Sequence, residues 1–266
     1  MVNRFDVYGS GSATATDLQL DASRRELGDR ITQRFVSGYA DISSTTKYQL
    51  VANDSPNSFS TTPIVQIVSD DALDTSTKKF YIEGIGDTGA NDGKYLSETV
   101  ALNGTSAVTL ANSYKWINVC QQYQGVLNAG NVSLQTGVGA DIFALLPLSG
   151  NLQTGAWGIP DGYKAMWNGL TVNAHGANTE VELMLGVIVD GDVPLINQLW
   201  TWRVKTFNQM PSWFDIPAQV ISEYRNGVVS SAGGLMGIYA KAVSGTTTIS
   251  IAGNIMLTKL AGDSRT

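Results

Sequence analysis

The chain is poor in the residues that most enzymes use for chemistry. Its 266 residues include one cysteine, Cys120, and one histidine, His175. A lone cysteine excludes a disulfide framework within the chain. One residue of each kind cannot supply the Cys/His cluster of a zinc site, and any Ser-His-Asp arrangement would rest on His175 alone. His175 sits in Asn173-Ala174-His175-Gly176-Ala177-Asn178, small and amide residues that read as a surface loop between two strands. Cys120 closes the strand-like run Tyr114–Cys120, where a buried, inert thiol is expected. No Gly-rich loop runs into Lys-Ser/Thr at nucleotide-binding spacing, and no GxGxxG follows a strand pattern.

Charge is also scarce, at 15% of residues, against about 25% in an average soluble protein. The net charge of −6 repels phosphate backbones, so nucleic acid is not an expected partner. No run of about 18 apolar residues occurs, so no membrane-spanning helix is expected. The start, Met1-Val2-Asn3-Arg4-Phe5-Asp6, lacks an apolar stretch after its basic residue and does not read as a secretory signal. The expected product is made in a cytoplasm and stays soluble or joins an assembly.

What the chain has in quantity is β-chemistry. Hydrophobic residues make up 43% and glycine contributes 28 residues, enough for a real core built from short strands and tight turns. Ile64–Val68, Lys79–Gly84 and Leu96–Leu102 read as strands, with a turn at Asp87–Gly93. Asn103-Gly104 is a hairpin signal, because both central positions of a type I′ turn take positive φ. Val181, Leu183, Leu185 and Val187 alternate with Glu180 and Glu182, and Ile249, Ile251, Ile255 and Leu257 alternate with Thr248, Ser250, Asn254 and Thr258. Each set predicts a strand with one buried face. Turn signals every 8 to 12 residues or so, without βα alternation, argue a sandwich or barrel. The expected fold class is all-β: two antiparallel β-sandwich, jelly-roll-like modules over 46–148 and 149–266, and an N-terminal arm over 1–45. The Pro147–Asn151 stretch reads as the connector.

The arm carries the one helix signal. Ser23-Arg24-Arg25-Glu26 has capping-box spacing, and Leu27, Ile31 and Phe35 follow at intervals of four, predicting a helix over about 24–35. Arg24, Arg25, Arg30 and Arg34 make it locally basic. Such a helix either packs on its own domain or docks on a neighbouring subunit. In the second case Arg24, Arg25, Leu27, Arg30, Ile31, Arg34 and Phe35 are the docking residues.

Carboxylates and aromatics are the remaining candidates for a site. Asp87 to Glu98 imitates a calcium loop, but its sixth position is Asp92, not Gly, and no helices flank it, so a hairpin turn is expected. The acidic turns Ser69–Asp74 and Asp190-Gly191-Asp192 mark no pair at glycosidase separation. Trp200, Trp202 and Trp213 form a dense aromatic stretch, expected in a core, at a subunit contact or under a sugar ring. No catalytic, metal or cofactor residue is expected, and the chain is read as non-enzymatic.

The run Phe80–Gly86, then Leu96-Ser97-Glu98-Thr99-Val100-Ala101-Leu102-Asn103-Gly104-Thr105-Ser106-Ala107-Val108, then Tyr114–Asn118, resembles a motif of tailed-phage virion structural proteins. Trp157–Tyr163 resembles the turn that opens the partner module in such proteins. This resemblance implies a two-module β protein located in the virion, first a capsid decoration, cement or auxiliary head protein, second a tail or host-attachment protein that binds a surface glycan. It implies the major capsid protein or other virion proteins as partners, and a homo-oligomer, expected as a trimer.

Overall fold

Period-two alternation decides where each strand buries. In the computed structural model, which describes residues 31–52, 60–145, 147–189, 197–206, 212–216, 223–225 and 234–259, the chain is almost wholly β. The strands are β1 (Ile31–Ile42), β2 (Gln49–Leu50), β3 (Ile64–Ser69), β4 (Lys79–Gly86), β5 (Tyr95–Ala101), β6 (Val108–Gln124), β7 (Val132–Thr136), β8 (Asp141–Leu145), β9 (Ala156–Ile159), β10 (Tyr163–His175), β11 (Glu180–Val189), β12 (Asn197–Lys205), β13 (Ser212–Ile216), β14 (Glu223–Arg225), β15 (Gly234–Ser244) and β16 (Thr247–Lys259). All ladders between them are antiparallel. They form curled sheets in sandwich-like modules, the all-β class that the alternation predicts.

Three sheets are stacked. The outer sheet runs β1-β16-β10-β13, with β14 also on β10; the middle sheet runs β12-β11-β15-β2, with β9 also on β15; the third runs β5-β4-β6-β3-β7-β8. One core lies between outer and middle sheets, where Val181, Leu183 and Leu185 of β11 meet Ile249, Ile251, Ile255 and Leu257 of β16. The other is built by the third sheet together with Met184 of β11 and Leu235 and Tyr239 of β15. The middle sheet is therefore buried on both faces over part of its length. This explains why Gly234–Ala240 is continuously buried and why it reads as an unbroken apolar run.

The N-terminal helix expectation needs correction. Residues 24–30 lie outside the described residues, but Ile31–Phe35 belong to β1, whose twelve residues pair with β16 in one unbroken register. Val36 and Ile42 are buried while Phe35 is 63% exposed, the reverse of a helix with Ile31 and Phe35 on its inner face. The ladder satisfies backbone groups along the whole segment, and Gly38 permits its close approach, since a Cβ there would stand 1.9 Å from the Val51 carbonyl oxygen. A twelve-residue ladder outweighs a capping box, whose contribution is about 1 kcal/mol.

The Asn103-Gly104 hairpin is also corrected. Gly104 takes φ +59, but Asn103 is not among the residues with positive φ, so the turn is not type I′. The strands it joins are not partners either, because β4 lies between β5 and β6. The strand-like run Tyr114–Cys120 is the middle of one longer strand, β6, seventeen residues long.

Two contacts lock the cores together. Asn118 of β6, 6% exposed, acts as a substitute strand partner for Gly158 of β9. Its Nδ2 donates to the Gly158 carbonyl at 3.0 Å and its Oδ1 accepts from the Gly158 N–H at 2.6 Å. Glu83 of β4, 5% exposed, faces the Arg34 guanidinium of β1 at 3.4 Å and accepts the hydroxyls of Tyr81 and Tyr95. Burial first, then the charge of Glu83, pushes the Tyr95 hydroxyl far above its ordinary pKa. It therefore stays a donor to Glu83 throughout the physiological range.

Candidate interaction surface

One end of the third sheet gathers four loops: residues 70–78 after β3, 102–107 after β5, 125–131 after β6 and 146–150 after β8, of which Leu146 is outside the described residues. Two buried polar residues organise them. Asp74 is fully buried. One carboxylate oxygen accepts the Lys78 ammonium at 2.5 Å and the Ala129 N–H at 2.8 Å; the other accepts the Ser69 hydroxyl at 2.5 Å and the Gly130 N–H at 3.2 Å. Its carbonyl accepts the Gly104 N–H at 2.7 Å. Burial pushes its carboxyl pKa up, but the Ala129 N–H, the Lys78 ammonium, the Ser69 hydroxyl and the Gly130 N–H together outweigh this, and the net shift is downward. The charge that the low dielectric penalises is thus matched by donors on every side.

Asn128 is the second hub, also fully buried. Its Nδ2 donates to the Gly130 carbonyl at 2.7 Å and its Oδ1 accepts from the Gly150 N–H at 3.1 Å. Its own N–H donates to Gln122 Oε1, and its carbonyl accepts the Leu148 N–H at 2.8 Å. This holds Leu148 at φ +57, a left-handed conformation that costs a branched residue roughly 1–2 kcal/mol.

On this rigid base stand side chains that a soluble surface would not choose. Leu148 is 66% exposed and Val126 81%, with Leu73, Tyr123 and Leu127 also exposed. The sequence carries a signal for this surface that alternation does not reveal. Residues 116–160 contain one charged residue, Asp141, where the chain's 15% average would place about seven. Charge depletion with apolar and aromatic exposure is the composition of a protein interface core.

The residues singled out from sequence fall elsewhere. Arg24, Arg25, Leu27 and Arg30 lie outside the described residues. Ile31 is the first residue of β1, Arg34 is engaged with Glu83, and Phe35 points outward on β1. Trp200 and Trp202 are on β12 of the middle sheet, opposite Leu185 and Leu183, and Trp202 is half-buried against the core between middle and outer sheets. Trp213 is on β13 of the outer sheet, in register with Asn173. The aromatic stretch is therefore divided between two sheets. Asp190 and Asp192 lie outside the described residues.

The remaining chemical candidates are engaged structurally. His175 is the exposed last residue of β10, where a loop was expected. Cys120 is buried, and burial pushes its thiol well above the usual range, which suppresses the nucleophilic thiolate. In the calcium-like loop, Asp92 pairs with the buried Lys115 ammonium at 2.9 Å. Glu98 accepts the backbone N–H groups of Ala111 and Asn112 and the Tyr114 hydroxyl. Glu182 accepts the Tyr48 hydroxyl, Arg203 at 3.0 Å and Lys241 at 3.3 Å. The Tyr48 hydrogen bond foremost, and the two cations, hold its carboxyl below the usual range against a smaller upward push from burial.

No protein-family model matches the chain, and no curated protein matches it. Among solved structures it is similar to that of the infectious bursal disease virus Gx strain, at 10% identity and TM-score 0.23, covering 88% of this chain and 74% of that one. It is also similar to the infectious bursal disease virus VP2 subviral particle, at 10% identity and TM-score 0.18, covering 88% and 73%. Scores of this size lie below what a shared fold gives, and the fold described above rests on its own geometry.

Proposed function

We propose that this chain is a non-enzymatic structural component of a tailed-phage virion, a capsid decoration or auxiliary head protein held by contacts with the major capsid protein or other virion proteins and with its own copies. The observation that carries this reading is the use made of buried charge. Glu83 and Lys115 each meet an opposite charge on a separate segment, and Asp74, paired with Lys78 inside its own loop, ties that loop to residues 129–130 through their N–H groups, while the surface presents an apolar platform. The motif-like run over residues 80–135 supports the same reading and lies in the sheet that builds this platform.

Binding of the purified protein to mature capsids at constant stoichiometry, with copy numbers in the particle that match the head lattice, is the expected result. Copies confined to the tail's low multiplicity would overturn the decoration role. A docking role for the N-terminal arm is tested by removing residues 1–30. The cut must stop there, because β1 begins at Ile31.

The second reading, a tail or host-attachment protein that binds a surface glycan, has one observation in its favour. An open groove of about 940 Å³ runs along β7 and β8, lined by Asp70, Asn131, Ser133, Gln135, Asp141 and Phe143 among others. Its amide, hydroxyl and carboxylate groups suit a sugar hydroxyl array, while Phe143 beneath them is buried in the core and offers no stacking face. This reading expects glycan-array binding that Gln135→Ala reduces, and a silent array removes it.

A further inference from the structure

We infer that the loop platform at the end of the third sheet is where copies of this chain meet one another. This deepens the building-block reading by naming the surface and its occupant: the same platform on a second copy. Two independent observations converge on it. One is the exposed apolar set of Leu73, Tyr123, Val126, Leu127 and Leu148. The other is the backbone of Leu148, held left-handed by its N–H bond to the Asn128 carbonyl. A position at φ +57 in water favours Gly or Asn, and a leucine there is unfavourable twice over, in backbone and in hydration. A partner that covers the side chain offsets the second cost.

Charge identifies the occupant. Each copy carries a net charge of −6, so copies repel one another wherever charged faces meet. The 116–160 tract, with its single carboxylate, lets two copies approach at the lowest electrostatic cost. A different, cationic partner would be better served by an acidic face, which the rest of this chain could supply. A symmetric contact requires a patch that complements itself, and the loops after β6 and β8, which hold Val126, Leu127 and Leu148 and carry no charged residue, do so without paired charges, with Asp70 and Asp71 set on the 70–78 side of the platform. The Asp74 and Asn128 hubs hold the four loops in place before contact, so little ordering entropy is lost when copies associate.

The experiment is sedimentation velocity, with light scattering on a sizing column, on the full chain over a concentration series. The wild type is expected to be oligomeric. Val126→Asp and Leu148→Asp each weaken association, by roughly thirtyfold or more if the residue is an interface hot spot. Both side chains are exposed, so circular dichroism and Tm serve as checks that the fold is kept. Leu148→Gly separates strain from contact. It relieves the backbone and removes the side chain, so it gives a less associated protein whose Tm, read at a concentration where wild type is dissociated, is unchanged or higher. Phe35→Asp, exposed on β1, leaves association unchanged.

A monomeric wild type at the highest concentration overturns the inference, as does an oligomer that survives both aspartate variants or dissociates in Phe35→Asp. A monomeric wild type whose capsid binding is lost in Leu148→Asp also overturns it, assigning the platform to another protein. Copy number per particle does not depend on any of these results, so the virion reading stands or falls separately.

Discussion

Asp74→Asn lowers stability by about 3–5 kcal/mol, the cost of removing one partner from a buried ion pair, and Tm falls by on the order of 10 °C for a domain of this size. The asparagine keeps the size of the side chain but strands the Lys78 ammonium, 8% exposed, beside a neutral group. It also weakens the charge-assisted bonds from Ser69, Ala129 and Gly130. Denaturant melts at neutral pH measure the loss. Their pH dependence tests its origin, because the folded state holds the Asp74 carboxyl below its ordinary pKa and so favours the ionised form. That contribution is complete above the unfolded value of about 4 and is lost as pH falls through the lower folded value. Wild-type stability therefore declines on acidification in that window, and the decline is shallower in Asp74→Asn. Equal acid slopes, or a loss under about 1 kcal/mol, would show that the four loops hold together without this hub.

Removal of residues 1–42 abolishes cooperative folding, whereas removal of residues 1–30 leaves the β1 ladder intact and the protein foldable. β1 buries Val36 and Ile42, each contributing roughly 1.5–3 kcal/mol. It also brings the only guanidinium paired with Glu83 among the described residues, and stranding a buried carboxylate costs about 3–5 kcal/mol. Together these reach about 6–11 kcal/mol, against a total stability of about 5–15 kcal/mol. The edge of β16 exposed by the cut would invite non-native pairing. Soluble yield, near-ultraviolet circular dichroism and a cooperative melt distinguish the two truncated chains. A well-folded 43–266 chain would refute the structural role of β1.

Much of the secondary structure was legible from alternation. Ile249, Ile251, Ile255 and Leu257 are buried on one face of β16, and Thr248, Ser250 and Asn254 are half-exposed on the other. A single wet face can be seen along one segment because the pleat has a period of two. β11 shows where that reasoning stops. Glu180 and Glu182 mark a polar face at its start, yet Met184, on the same face, is buried in the core of the third sheet. Nothing local distinguishes a strand with one buried face from a strand whose second face is covered partway along by another sheet.

The candidate surface was legible only in part. The charge-poor tract 116–160 is visible in the residues themselves, but its meaning depends on which of them stay in water, and Trp116, Ile117 and Leu134 are buried while Val126 and Leu148 are not. For the aromatic stretch only the strand pairing assigns the positions, because Trp202 and Trp213, close in sequence, fall on strands of two different sheets.

By itself, then, the sequence determined the all-β class, the buried faces of its longer strands and the scarcity of reactive groups, since these depend on residue type and a two-residue period. Tertiary structure alone decided that residues 31–42 form an edge strand and not a helix, that Arg34 pairs with Glu83, and that four loops close around Asp74 and Asn128. Those outcomes depend on partners dozens to hundreds of residues away, where long-range ladders and buried ion pairs outweigh local propensities worth about 1 kcal/mol or less.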